Sequence, residues 1–206
     1  MVFWLTILIA TFSFSAESSK KDLRLEIKRI ETSIQIGKMM GADQAYRFSG
    51  AVIAKKGYKW EDLASLPEYQ NVIANVDSEN GKQIKEIIAK WGWPKISDFG
   101  EYTAKNIWLL VQHMDTDIEF QKHCLVLMEK LLPFKEVRFV DYGYLYDRVQ
   151  VNSGKPQRYG TQGECVGKGN WKPKPIEDLK RLSTLRLEAG MPSMEEYTRV
   201  LQEMCL

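Results

Sequence analysis

The chain is poor in the residues that most often carry chemistry. In 206 residues it has two histidines and three cysteines. No Cys-x-x-Cys pair occurs, which removes the usual zinc-ribbon and thioredoxin spacings. There is no glycine-rich phosphate loop and no Gly-x-Ser-x-Gly elbow, and no serine or cysteine is marked as a nucleophile. Charge of one sign is missing too. Against 27 Asp+Glu stand 29 Lys+Arg, a net +2 without a basic tail or stripe, so nucleic acid is not an expected partner. No repeat, low-complexity tract or linker divides the chain, and its length suits one domain that buries its own core.

The only sustained apolar run is at the start. Residues Met1 to Ala16 carry no charged side chain, and Lys20 and Lys21 follow soon after. A spanning helix needs about 20 apolar residues, so the run is short for an anchor. It fits the apolar region of a secretory signal, with Ser13, Ser15 and Ala16 as small residues for cleavage. No Lys or Arg precedes the run, and an uncleaved anchor is the competing reading. The expectation is a signal peptide over 1–16, a single helical domain over 17–206, a periplasmic or secreted location, and no stable membrane span after cleavage. An exported chain with Cys124, Cys165 and Cys205 can form one bridge and leave one thiol over. Cys124 lies in an apolar helical stretch and reads as a small buried hydrophobe. Cys165, in a loop, and Cys205, at the terminus, are the expected pair, although spacing alone cannot prove it.

Apolar periodicity predicts a mainly α fold. Leu23, Ile27, Ile30 and Ile34 recur at helical spacing between Asp22 and Met40. After Gly41 a second helix is expected from Ala42 into the fifties. Gly57 to Asn80, with Pro67, reads as short helices and loops, and Gly81 to Trp91 as an amphipathic helix stopped by Gly92 and Pro94. The longest predicted element runs from Glu101 to Leu132, before Pro133, and another from Glu136 to Val151. Between Gly154 and Pro175 glycine, proline and asparagine crowd together, and a small hairpin or extended loop is expected there. The last helix, Ser193 to Cys205, opens with Ser193 and Glu196 in a capping box.

On the long predicted helix, Ile107, Leu110, Val111, Met114, Ile118, Leu125, Met128 and Leu132 form the buried arc, with Glu101, Lys105, Gln112 and Glu119 opposite. His113 sits at the edge of that arc, Asp117 one turn on, and Gln121 within it. At i, i+4 and i+8 these three would make a polar ridge on apolar ground. A buried amide left unpaired costs about 1–3 kcal/mol, so Gln121 needs polar partners from another helix. The ridge could face a pocket with His113 as acid or base, or it could be a network that fixes helix register. Glu119 and His123 project from a different side than His113, so the two histidines cannot share one metal ion from this helix. Neither a metal nor a cofactor is expected. Arg148 could clamp an anionic substrate group or an internal carboxylate such as Asp43 or Asp115. The loop Gln157-Arg158-Tyr159-Gly160-Thr161-Gln162 offers a dense array of neutral donors and acceptors, for a ligand or for its own backbone.

An ordered series of motifs runs through the chain: Asp43-Gln44-x-x-Arg47, Gly92-Trp93-Pro94, Trp108-x-x-x-Gln112-His113-x-Asp115, Phe120-Gln121, Tyr144-Leu145-x-Asp147-Arg148 and Gly154-x-Pro156-Gln157-x-Tyr159-Gly160-Thr161-Gln162. Pro175-Ile176-x-Asp178 and Arg186-x-x-x-Gly190-Met191-Pro192 close it. The series resembles an uncharacterised family of bacterial proteins, a domain of unknown function often preceded by a signal peptide, over about Asp43 to Tyr197. The family implies no activity that can be carried over. Its motif positions are mostly polar, which raises a shared polar site to equal standing with a purely structural role.

Three readings follow. As an enzyme, the chain would use His113 with Asp115 or Asp117 for acid–base work, most simply hydrolysis of a polar extracytoplasmic substrate. Arg47, Gln112, Gln121, Asp147, Arg148, Gln157, Tyr159, Thr161 and Gln162 would then contact the substrate. As a binding protein, the same residues would hold a small polar molecule or peptide without chemistry. As a scaffold, they would be an internal hydrogen-bond network.

Overall fold

A computed structural model describes residues 3–205, with side chains from residue 20 onward except at 51, 54, 60 and 61. The signal-peptide reading rests on side chains that lie outside the described residues. The fold is mainly α with one short β-hairpin, as the periodicity predicts. Among the described residues no helix is long and apolar enough to cross a membrane.

Helix α1 spans Phe3–Arg47 and does not stop at Gly41. An exposed glycine inside a helix costs only about 1 kcal/mol. Continuing the helix buries Asp43 and Tyr46 in line with Ile36, Met39 and Met40, so packing outweighs the local preference. Two short helices follow, α2 (Ser49–Lys55) and α3 (Trp60–Ala64). Helix α4 then runs from Pro67 to Trp91, well beyond the expected start at Gly81. Pro67 stands in its first turn, where the missing N–H is no loss, and Gly92 ends it with φ 66°. The buried Ile84, Ile87 and Ile88 turn α4 inward.

The predicted helix from Glu101 to Leu132 is two helices, α5 (Ile96–Gln112) and α6 (Ile118–Glu129). Residues 113–117 form the loop between them, so His113, Asp117 and Gln121 are not a ridge on one helix. Asp117 causes part of the break: its carboxylate accepts the Phe120 N–H at 3.1 Å and caps α6. Gln121 provides the rest, donating to the carbonyls of Val111 and Gln112 at 3.0 and 3.3 Å. It thereby occupies the open end of α5 and finds acceptors for its amide N–H groups, while its buried Oε1 has no hydrogen-bond partner among the described residues. Helix α7 covers Phe139–Asn152. Helices α1, α4, α5, α6 and α7 enclose one apolar core around Ile36, Ile84, Ile107, Met128 and Leu145.

The hairpin pairs β1 (Gly163–Gly167) with β2 (Asn170–Pro173), Cys165 standing opposite Trp171. Gly163 is required there, because a Cβ would come within 2.1 Å of the Trp171 ring. Helix α8 (Leu182–Glu188) is an element that periodicity does not disclose, being only two turns long. Helix α9 (Met194–Met204) begins with the expected capping box of Ser193 and Glu196. The disulfide is Cys165–Cys205, which ties the hairpin to the end of α9, and Gly169 N donates to Cys205 O at 2.7 Å beside it. Cys124 is free and buried, its thiol pushed up to about 12 by that burial and by the charge of Asp117.

Candidate functional site

Helices α1 and α4 and the 113–117 loop surround an open cleft of about 700 Å3. Its walls include Asp43 and Arg47 from α1, Asp77, Lys82 and Lys85 from α4, and His113, Asp115 and Asp117 from the loop. Breaking the long helix is what makes this possible. A continuous helix would carry residues 113–117 past the end of the core, whereas the loop folds them back against α1 and α4.

The central contact joins residues 70 positions apart. His113 Nδ1 lies 2.9 Å from both oxygens of Asp43. Asp43 is only 1% exposed, and it also accepts from Gln44 Nε2 at 2.6 Å and Arg47 Nε at 3.0 Å. Burial pushes its carboxyl upward, but the hydrogen bond and charge of His113, with Gln44 and Arg47, more than reverse this and hold it below the usual carboxylate range. Asp43 is therefore an ionised, buried group with His113 as one of its partners. Its grip on Nδ1 leaves Nε2 as the ring nitrogen available for proton transfer. This is the arrangement in which a carboxylate sets the tautomer and orientation of an imidazole.

Around this pair the walls are ion-paired. Lys85 Nζ is 2.6 Å from Asp117 Oδ2 and, with the Phe120 amide, holds that carboxyl low. Arg47 reaches toward Asp77 at 3.6 Å. The Tyr46 hydroxyl donates to Asp77 at 2.7 Å, and burial together with that bond raises the phenol. On the outer side of the loop Arg148 grips Asp115 with two guanidinium nitrogens, Nε at 2.6 Å. Asn152 donates to the same carboxylate at 2.9 Å. Burial raises Asp115, and Arg148 and Asn152 outweigh it, leaving the carboxyl lowered. Of the alternatives for Arg148, the structure takes the internal carboxylate Asp115.

The sequence-derived candidates thus fall into three places. Arg47, His113, Asp115 and Asp117 line the cleft. Gln121 and Arg148 stand behind the loop and hold it, whereas Gln112, expected opposite the buried arc, is itself buried and contributes only its backbone carbonyl, as an acceptor for Gln121. The remaining five lie in a separate network in the C-terminal part. Asp147, fully buried, accepts the backbone N–H groups of Arg158, Tyr159 and Thr161 at 2.8–3.2 Å. Burial still raises its carboxyl in spite of those bonds. Gln157, also fully buried, donates to the carbonyls of Gln162 and Lys174 and accepts the Gln162 N–H. Tyr159 packs its ring against Phe139 and Tyr146, while Thr161 accepts from Gln162 Nε2 at 3.0 Å. The loop's polar groups are taken up within the C-terminal part, by Asp147, Glu177, Arg186, Tyr197 and the loop's own residues, and the loop lines no part of the cleft.

Sequence reasoning missed Asp43, Asp77 and Lys85 as cleft residues, and Tyr46 as the donor that holds Asp77 beside them. For Asp43 a signal was present: it falls on the same helical arc as Ile36, Met39 and Met40, and a carboxylate on a buried arc needs a partner. Among the described residues no group of three or more His, Cys, Asp or Glu is arranged to hold a metal ion. No curated protein and no solved structure matches the chain. A family model does match over residues 32–205, which takes in both the cleft and the C-terminal network. The chain belongs to the Family of unknown function (DUF6624).

Proposed function

We propose that the chain is an exported protein whose cleft binds a small polar molecule and acts on it by general acid–base chemistry, with hydrolysis as the reaction class. The observation that carries the reading is the His113–Asp43 pair on the wall of the cleft. In this reading Nε2 takes a proton from water as the water attacks, and returns it to the leaving group. Asp43 holds the ring and stabilises the imidazolium that forms. Arg47 and Lys82 orient a polar or anionic substrate group, and Asp115 and Asp117 hold the loop that carries His113. The cleft is large enough for a small ligand, for which pockets of about 300–1,000 Å3 are usual.

Export is supported by the apolar, uncharged first 16 residues and by the Cys165–Cys205 bridge, which suits an oxidising compartment. Sequencing the N-terminus of the chain recovered from its host tests this part. A start at Ala16 or Glu17 fits, and retention of Met1 in the cell interior refutes it.

The activity is tested by incubating the purified chain with a panel of polar esters, amides, phosphate esters and cell-envelope fragments, with products read by mass spectrometry. The expected result is a product that His113→Gln abolishes and Gln162→Ala leaves, both variants keeping the wild-type circular dichroism. A ligand that raises the melting temperature and yields no product would instead make the cleft a binding site. Turnover that survives His113→Gln would refute the reading.

A further inference from the structure

Helix α1 has two apolar faces, and the core uses one of them. Thr32, Ile36, Met39 and Asp43 turn toward the body, where α1 packs on α5 and α4. At about 100° per residue, Leu23, Ile27, Ile30 and Ile34 lie on the opposite side. Their exposures are 61%, 54%, 58% and 54%. Residues 20–28 are all exposed, so this part of α1 projects beyond the body. Isolated exposed apolar residues are ordinary, but four on one helical stripe form a contiguous surface.

We propose that this stripe is the contact by which two copies of the chain pair, as an antiparallel two-helix seam. The spacing 4, 3, 4 is that of alternating core positions in a heptad pattern. In an antiparallel pair centred between Lys28 and Arg29, Leu23 of one copy meets Ile34 of the other and Ile27 meets Ile30, so every apolar position has an apolar partner. Charge selects this orientation. The antiparallel seam sets Arg24 of each copy beside Glu31 of the other, two opposite-charge pairs, and sets Glu26 beside Ser33. A parallel seam would set Glu26 against Glu31 twice. Arg24 and Glu31 have no ion-pair partner among the described residues, so both are available. The helix is already anchored from Thr32 onward, so pairing does not have to nucleate it. The stripe faces away from the body, and docking there leaves the His113 cleft open; the inference is independent of the function proposed for that cleft.

Cysteine cross-linking of the full chain in the producing cell tests the seam and its direction. Co-expressed Ile27→Cys and Ile30→Cys chains are expected to give a mixed disulfide dimer on mild oxidation, and Ile27→Cys alone is not. Arg24→Glu in both chains lowers the mixed yield at least about fivefold, and adding Glu31→Arg restores it. Cross-linking of Ile27→Cys alone, or a yield indifferent to the charge exchange, overturns the antiparallel pair. Cysteines that stay unlinked yet are shielded from a membrane-impermeant maleimide assign the face to lipid or another protein, which also overturns it. The substituted positions are exposed, and unchanged circular dichroism checks that the variants fold.

Discussion

Replacing Asp147 with alanine tests the assignment of the C-terminal network to stability rather than to the cleft. The substitution orphans the amides of Arg158, Tyr159 and Thr161. Tyr159 and Thr161 are 3% and 5% exposed, so water cannot replace the lost acceptor for them, whereas Arg158 is partly open. At about 1–3 kcal/mol for each buried orphan, the two cost about 2–6 kcal/mol. A second consequence concerns Arg186, which is 1% exposed and donates to the carbonyls of Tyr159 and Pro192. Burial pulls its guanidinium down, and Asp147 is a carboxylate whose charge acts the other way. Without Asp147 that cation loses a compensating charge. The effects share atoms and do not add, so the expected loss is about 4 kcal/mol, a large part of the 5–15 kcal/mol typical of a domain. In urea, with a slope of about 2 kcal/mol per molar, the unfolding midpoint should fall by about 2 M. Asp147→Asn keeps one acceptor oxygen and turns a donor toward the other amides, so its loss should fall between alanine and wild type. A midpoint shift for the alanine variant below about 0.5 M would refute the reasoning.

Other outcomes follow from the same contacts. Asp43 has a folded-state pKa below its ordinary value of 3.8. Its contribution to stability is therefore fully present above 3.8 and is lost as pH falls through the lower, folded value. The stability gap between wild type and Asp43→Asn, measured by denaturant titration, should accordingly shrink only in that acid range; a gap that is constant from neutral pH down to acid would contradict the ionised assignment. Opening the Cys165–Cys205 bridge by double serine substitution frees a loop whose ends are 40 residues apart. The chain-entropy relation puts the loss at about 4 kcal/mol, a fall of about 8–15 °C in melting temperature, and an unchanged melting curve would show the bridge to be inert. Gly163→Ala must displace the Trp171 ring or the Lys172 carbonyl, which a Cβ would approach to 2.1 and 2.4 Å. The expected cost is about 1–3 kcal/mol, read by thermal unfolding, with the near-ultraviolet tryptophan signal changed.

Local signals made the fold class legible, and long-range contacts made much of the site illegible. The capping box at Ser193, the stop at Gly92 and the hairpin in the glycine-rich stretch each announce themselves within a few residues. The break at residues 113–117 does not, because it contains neither glycine nor proline and the apolar period runs on across it. Its causes are the Asp117 cap, the Gln121 amide on the end of α5, and the Arg148–Asp115 pair that spans 33 positions. Asp117 before Ile118 was a readable helix-start residue, outweighed by the long apolar pattern. The pairing of His113 with Asp43 could not be read from spacing at all, since it depends on α1 and the broken helix lying side by side. His113 was nonetheless identifiable as the polar residue at the margin of an apolar face. Polar motif residues thus divide by where their partners are. Asp147 and Gln157 bond to backbone close by and close a loop, whereas Asp43 and His113 meet across the fold with one ring nitrogen left over. That unspent donor or acceptor on a cleft wall, rather than polarity as such, separates a candidate site from a satisfied network.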